Sequence, residues 1–224
     1  MSNTTTPSHP RITSEQMQRD YIVRFDTLKD QGIPLMFIDS ALPGHQRMNY
    51  AVIGDTASEN PEYAPAITVP HKFQIGMGFA APGNGPAYHT HDYVEMFLIL
   101  KGKWRFYWGN DPDPAKAEGE ALLRKWDMIT LPPGLYRGFE VAGKKVGWFF
   151  AVLDPHPVFL SKDPIWSPQV EQLAKEYGFH ADMSGKMVKP NNYDAMRDEL
   201  RQKLEALQPQ LFATRAQGNG SAPS

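Results

Sequence analysis

The apolar residues of this chain change their spacing twice along its length. Between about residues 14 and 30, Met17, Tyr21, Phe25 and Leu28 recur at intervals of four, four and three, the spacing of one apolar helix stripe. Thr13 or Ser14 can cap that helix, and Gln31-Gly32-Ile33-Pro34 ends it. Short strands are predicted near 35–39 and 48–53, and the polar, proline-bearing stretch 54–69 reads as loop. From about 70 to 153 the pattern is that of strands, at 72–80, 93–100, 103–109, 120–124, 127–131, 136–141 and 146–152. Most are rich in Phe, Trp, Tyr, Val and Ile. Turn residues separate them: Pro82-Gly83-Asn84-Gly85-Pro86, Lys101-Gly102, Asn110 to Pro114, Pro132-Pro133-Gly134 and Gly143-Lys144. So many short strands in so few residues predict a small barrel or sandwich.

Helical spacing then returns. Ser167 caps a segment with Pro168 at its first position, Val170, Leu173, Ala174 and Tyr177 inside it and Gly178 at its end. A last helix begins near Asn192, with the stripe Tyr193, Met196, Leu200, Leu204 and Leu207 and a Glu199–Lys203 pair four apart. Such a stripe is packing or a dimer contact, and a homodimer is the expected assembly. The predicted layout is a tail over 1–12, a helix and strands packing on the barrel over 13–69, the barrel over 70–153, a helical extension over 154–214 and a second tail over 215–224.

Composition narrows the chemistry. The 224 residues hold no cysteine, which excludes disulfide scaffolds, thiolate zinc sites, iron–sulfur clusters and cysteine nucleophiles. A net charge of −2 gives no sequence-independent attraction to nucleic acid or anionic lipid. No stretch approaches 18 apolar residues, and Met1 to Pro10 has no apolar signal region, so a cytoplasmic protein with no membrane partner is expected. Gly76-Met77-Gly78 lies on a predicted strand and leads to no helix, so it is not a dinucleotide loop. The glycosylation-type tripeptides at Asn3 and Asn219 mean little without a secretory route.

The chemistry concentrates in 83–102. His89, His91 and Glu95 share parity, so on strand-like backbone two imidazoles and a carboxylate project to one side, continued by Phe97 and Ile99. Borderline divalent metals favour this mixture of neutral nitrogen and anionic oxygen donors. His9, His45, His71, His156 and His180 read as ordinary surface or hydrogen-bonded residues. On the strand after Gly102, Trp104, Phe106 and Trp108 alternate with Arg105 and Tyr107, and the more apolar set is expected to face inward. With Phe97, Trp104 and Phe106 are the candidate pocket lining. Tyr88, Tyr93 and Tyr136 adjoin the motif and can donate a proton or hydrogen bond.

Gly83, His89-Thr90-His91, Glu95 and Gly102, at these spacings, resemble the first motif of the cupin superfamily. Trp126-Asp127 through Pro132, Gly134 and Arg137 resembles the second, with Asp127, Pro132 and Gly134 matching. Trp126 stands where the family usually has Gly, Arg137 where it usually has a third histidine ligand, and Val141 where it has Asn. The resemblance covers about 70–153 and implies an all-β double-stranded β-helix, a jelly-roll barrel, here with N- and C-terminal helical extensions. It carries over His89, His91 and Glu95 as metal ligands. A guanidinium does not ligate metals, so what remains is two histidines and a carboxylate, the donor set of non-haem Fe(II) oxygenases. The expected function is therefore a metal-dependent, dioxygenase-type oxidation or cleavage of a small anionic or aromatic substrate, with Arg137 clamping it. Fe(II) is the favoured metal, with Mn, Ni or Zn as alternatives. A non-redox lyase, isomerase or decarboxylase, or a non-catalytic ligand-binding barrel, are the other readings.

Overall fold

The computed structural model describes residues 11–54, 58, 60–154, 164–183 and 186–208. Both glycosylation-type tripeptides, His9, His156 and most of the two predicted tails lie outside the described residues.

Ten strands make up two five-stranded antiparallel sheets. They are β1 (Arg47–Ile53), β2 (Gln74–Ala80), β3 (His89–Thr90), β4 (Glu95–Lys101), β5 (Lys103–Gly109), β6 (Gly119–Arg124), β7 (Met128–Leu131), β8 (Tyr136–Val141), β9 (Gly147–Leu153) and β10 (Ile165–Trp166). The first sheet runs β1-β2-β9-β4-β7 and the second β10-β3-β8-β5-β6. Strands β2 to β9 alone give two four-stranded halves, 2-9-4-7 and 3-8-5-6, and the chain crosses between halves at almost every connection. That order is a double-stranded β-helix of all-β class. Its eight strands span Gln74–Leu153, and a 3-10 turn (Pro114–Lys116) is the sole helical segment described between them.

Alternation decides which side chains the barrel encloses. On β4, Glu95, Phe97 and Ile99 are buried and Met96 and Leu98 half-buried, as their parity predicts. Trp104 and Phe106 of β5 are buried with Phe97, Phe139 and Phe149 in the core between the sheets. Strand β1 lies outside 70–153 yet pairs along β2, from Arg47 opposite Ala80 to Ile53 opposite Ile75. Its even residues Met48, Tyr50 and Val52 pack outward, against Leu200 and Leu204. Its odd residues Arg47, Asn49 and Ala51 face the interior cavity.

Helices flank the barrel: α1 (Ser14–Asp20), α2 (Phe25–Leu28), α3 (Pro168–Glu176) and α4 (Tyr193–Glu205). Ser167 caps α3 by accepting from the Val170 N–H, with Pro168 at the first position, as expected. The α4 stripe lies on the barrel of the same chain, where Tyr193, Leu200 and Leu204 are buried. Lys203 donates to Gln46 Oε1 at 2.6 Å instead of meeting Glu199.

Two predicted elements differ. The helix expected over 14–30 is broken: α1 has a Thr13–Gln16 capping box but buries no residue, and Met17 and Tyr21 are exposed. With nothing to pack against its stripe, the chain leaves the helix through extended Arg24 and restarts at Phe25, where Leu28 reaches the core. The strand expected at 35–39 is instead a 3-10 turn, Phe37–Ser40. The Asp39 carboxylate accepts from the Met36 N–H at 2.9 Å and Ser40 Oγ donates to the Phe37 carbonyl at 2.7 Å. These local bonds replace a strand ladder.

Candidate metal centre

His89 and Glu95 do not lie on one strand, as shared parity suggested. His89 is in β3 of the second sheet and Glu95 opens β4 of the first, with 91–94 crossing between them. The crossing turns the three donors toward one point: a ligand atom from each of His89, His91 and Glu95 lies within 4.8 Å of the others. The second motif braces this geometry. Gly134 N–H donates to the His91 carbonyl at 2.8 Å, and Arg137 sits opposite His89 in the β3–β8 ladder.

The protonation pattern suits a metal. His89 Nδ1 lies 2.6 Å from the Ala87 carbonyl, an arrangement that places its proton on Nδ1 and leaves the Nε2 lone pair for a ligand. Burial, then the Arg137 charge, holds the His89 imidazole well below its ordinary pKa, and the same two causes depress His91. Both rings are therefore neutral near pH 7. His91 Nε2 comes within 3.1 Å of Glu95 Oε2 without hydrogen-bond geometry. A nitrogen and an oxygen held that close match neighbouring ligands on one ion, which at bonds of about 2.1 Å and right angles stand about 3 Å apart. The residues fit a divalent metal.

Arg137 is wholly buried beside this group. Its Nη2 donates to Glu95 Oε2 at 3.0 Å and its Nη1 to the Leu135 carbonyl at 3.1 Å. Burial raises the Glu95 pKa, while Arg137 and, less strongly, Arg47 oppose that rise. Arg137 thus faces the site, engaged with the carboxylate expected to bind metal.

An adjoining cavity, about 820 Å³ including its open mouth, is lined by His89, Glu95, Tyr93, Trp166 and, on its apolar side, Phe97, Phe139 and Phe149. Of the three predicted lining residues only Phe97 reaches it; Trp104 and Phe106 are packed in the core beneath. Among the tyrosines, Tyr93 lines the cavity and stacks on His91 with ring centroids 3.6 Å apart. Tyr88 stacks with Tyr107 and Tyr136 away from it. His45 and His71 bond the Gly85 and Val69 carbonyls, and His180 is exposed on a short outer hairpin.

Sequence reasoning missed Arg47, Asn49, Tyr63, Gln74 and Trp166, which also line the cavity. The available signal was Arg47-x-Asn49-x-Ala51, a polar row alternating with Met48, Tyr50 and Val52 in an otherwise buried strand.

No protein-family model matches the sequence, and no curated protein does. Similar solved structures include a cupin 2 conserved barrel domain protein from Rhodopseudomonas palustris, at 12% identity over 49% of this chain and 61% of that one, TM-score 0.38. An uncharacterized conserved protein with a double-stranded β-helix domain from Klebsiella pneumoniae matches at 16% identity over 62% and 93%, TM-score 0.41. A DMSP lyase from Ruegeria pomeroyi matches at 14% over 53% and 50%, TM-score 0.39. The chain thus spans less than two thirds of the first and half of the last. Its own strand order defines a double-stranded β-helix barrel.

Proposed function

We propose that this protein is a metal-dependent cupin enzyme that oxidises or oxidatively cleaves a small molecule held in the cavity beside His89, His91 and Glu95. The observation that carries the reading is the convergence of two neutral imidazoles and one carboxylate, with the Arg137 guanidinium against that carboxylate. A divalent metal bound there supplies Lewis acidity and, as iron(II), electrons for chemistry with O₂. Around it, Arg137 favours the ionised form of Glu95 and aims it, Ala87 fixes the His89 tautomer, and Phe97, Phe139 and Phe149 line the neighbouring space with apolar surface. A second reading, non-redox lyase or isomerase chemistry, is favoured by Tyr93, whose phenol stands beside His91 where an acid or base would be needed.

Metal analysis of the purified protein is the first test, followed by oxygen uptake of the iron(II)-loaded protein over a panel of small carboxylic and aromatic compounds. We expect bound divalent metal, substrate-stimulated oxygen uptake, and a fall in metal affinity of at least about 100-fold in His89→Ala, which removes a direct ligand. Conversion of a panel compound without oxygen uptake would select the lyase reading. Metal binding with no conversion would leave a ligand-binding barrel, and a protein that takes up no metal would sink the proposal.

A further inference from the structure

The cavity holds a second guanidinium. Arg47 is buried on the interior row of β1, and its Nε donates to Asn49 Oδ1 at 3.0 Å. Its Nη2 pairs with Asp39 Oδ2 at 3.0 Å. Nη1 has no hydrogen-bond partner, nor has Asp39 Oδ1. An arginine fork presents donors in a plane matched to a carboxylate, and a buried donor left unmet costs free energy that a ligand can recover. Arg137 has no comparable freedom of role: two of its nitrogens serve Glu95 and Leu135, and it is not among the cavity-lining residues.

The buried charges also favour an anionic ligand. The buried charged side chains among the described residues are Asp39, Arg47, Glu95 and Arg137, two of each sign. They balance as they stand. A divalent ion on the neutral histidines and Glu95 leaves the site with two uncompensated positive charges, one of which a carboxylate substrate offsets. Phe97, Phe139 and Phe149, which pack against one another, give the same cavity an apolar, aromatic part.

We propose that Arg47 is the substrate-anion site of this cavity, binding the carboxylate of a small aryl or alkyl carboxylic acid whose apolar body lies against Phe97, Phe139 and Phe149. Asp39 and Asn49 are positioning residues that hold the guanidinium in place. The proposal rests on the metal-enzyme reading above and names its substrate class.

Zinc, which does not turn over O₂, allows binding to be read without catalysis. Calorimetric titration of zinc-loaded protein with benzoate and butanoate, and with benzamide and butanamide as neutral counterparts, reads the preference directly. The wild type should bind each acid at least about tenfold more tightly than its amide. Arg47→Gln should remove that preference while keeping the amide affinity and the zinc content. Because this change strands the Asp39 charge, the double variant Arg47→Gln/Asp39→Asn removes both members of the pair and should behave the same way. Equal affinity for acid and amide in the wild type, or acid binding unchanged in both variants at full zinc content, would overturn the assignment. Titration of the chelator-treated wild type and double variant separates the two readings. A benzoate preference that depends on Arg47 but persists without metal supports the anion site even if the metal reading fails, and one that ignores Arg47 counts against it.

Discussion

Trp126 shows how a single residue can be read from both its conformation and its place in a motif. It is the one non-glycine described at positive φ, 76°, in the tight turn between β6 and β7. The turn is held by Asp127, whose carboxylate accepts from the Arg124 N–H at 2.8 Å, and by Trp126 N–H donating to the Ile99 carbonyl at 2.8 Å. A side chain in the left-handed region crowds its own carbonyl, a cost that glycine would avoid. The indole gains little in return, since it is 64% exposed with only Lys125 over its ring. Trp126→Gly should therefore stabilise the fold by about 1 kcal/mol. In a chain of this size that is a rise of about 2–4 °C in thermal midpoint, measurable by calorimetry. An unchanged or lower midpoint would mean that the indole contributes more than the turn loses.

At the scale of elements, the loop between β2 and β3 decides where the metal donors stand. Gly85 passes so close to β8 that a Cβ there would lie 1.9 Å from the Phe139 carbonyl oxygen, a contact with rigid backbone. Its N–H donates to the Gly44 carbonyl, and the neighbouring Pro86 carbonyl accepts from Phe139 N–H. The loop is thus clamped between the N-terminal segment and β8 four residues before His89. Gly85→Ala must push the loop off β8, and we expect a loss of about 3 kcal/mol in urea unfolding together with weakened metal binding, because β3 moves with it. An unfolding midpoint equal to the wild type would show that the loop yields freely and that β3 is fixed by its ladder alone. The broken first helix belongs to the same scale. Its periodicity was legible in the sequence, but periodicity forms a helix only where a partner surface covers the stripe.

For the whole molecule, the buried pair Asp39–Arg47 ties the N-terminal 3-10 turn to β1 and makes stability depend on pH. Burial raises the Asp39 pKa from 3.8 to about 6, against the opposing pull of Arg47 and of the Met36 N–H. The folded state therefore holds a proton that the unfolded chain has released between those values. The contribution of Asp39 to stability is fully present below pH 3.8 and is lost as pH rises through 6. Relative to Asp39→Asn, the wild type should lose about 1 kcal/mol between pH 5 and pH 8 in urea titrations. A wild-type advantage that instead grows with pH would show that attraction to Arg47 outweighs burial.

The sequence by itself determined the strands over 74–153, the capped helix after Ser167 and the α4 stripe, and it singled out His89, His91 and Glu95 as candidate donors. Those features depend on neighbours in the chain: alternation, turn residues and caps act over two to four positions. The residues that complete the site were decided by the tertiary structure. Arg47 enters the cavity only because β1 pairs with β2, separated from it by the long connection 54–73, and Trp166 because β10 pairs with β3 at the edge of the second sheet. Pairings between distant segments leave no local periodicity, and a polar residue inside an apolar strand does not name the cavity it faces. Arg137 was legible as a departure from a motif, but its role was not. The β3–β8 register and the crossing at 91–94 place its guanidinium on Glu95, and so leave Arg47 as the guanidinium that faces the cavity.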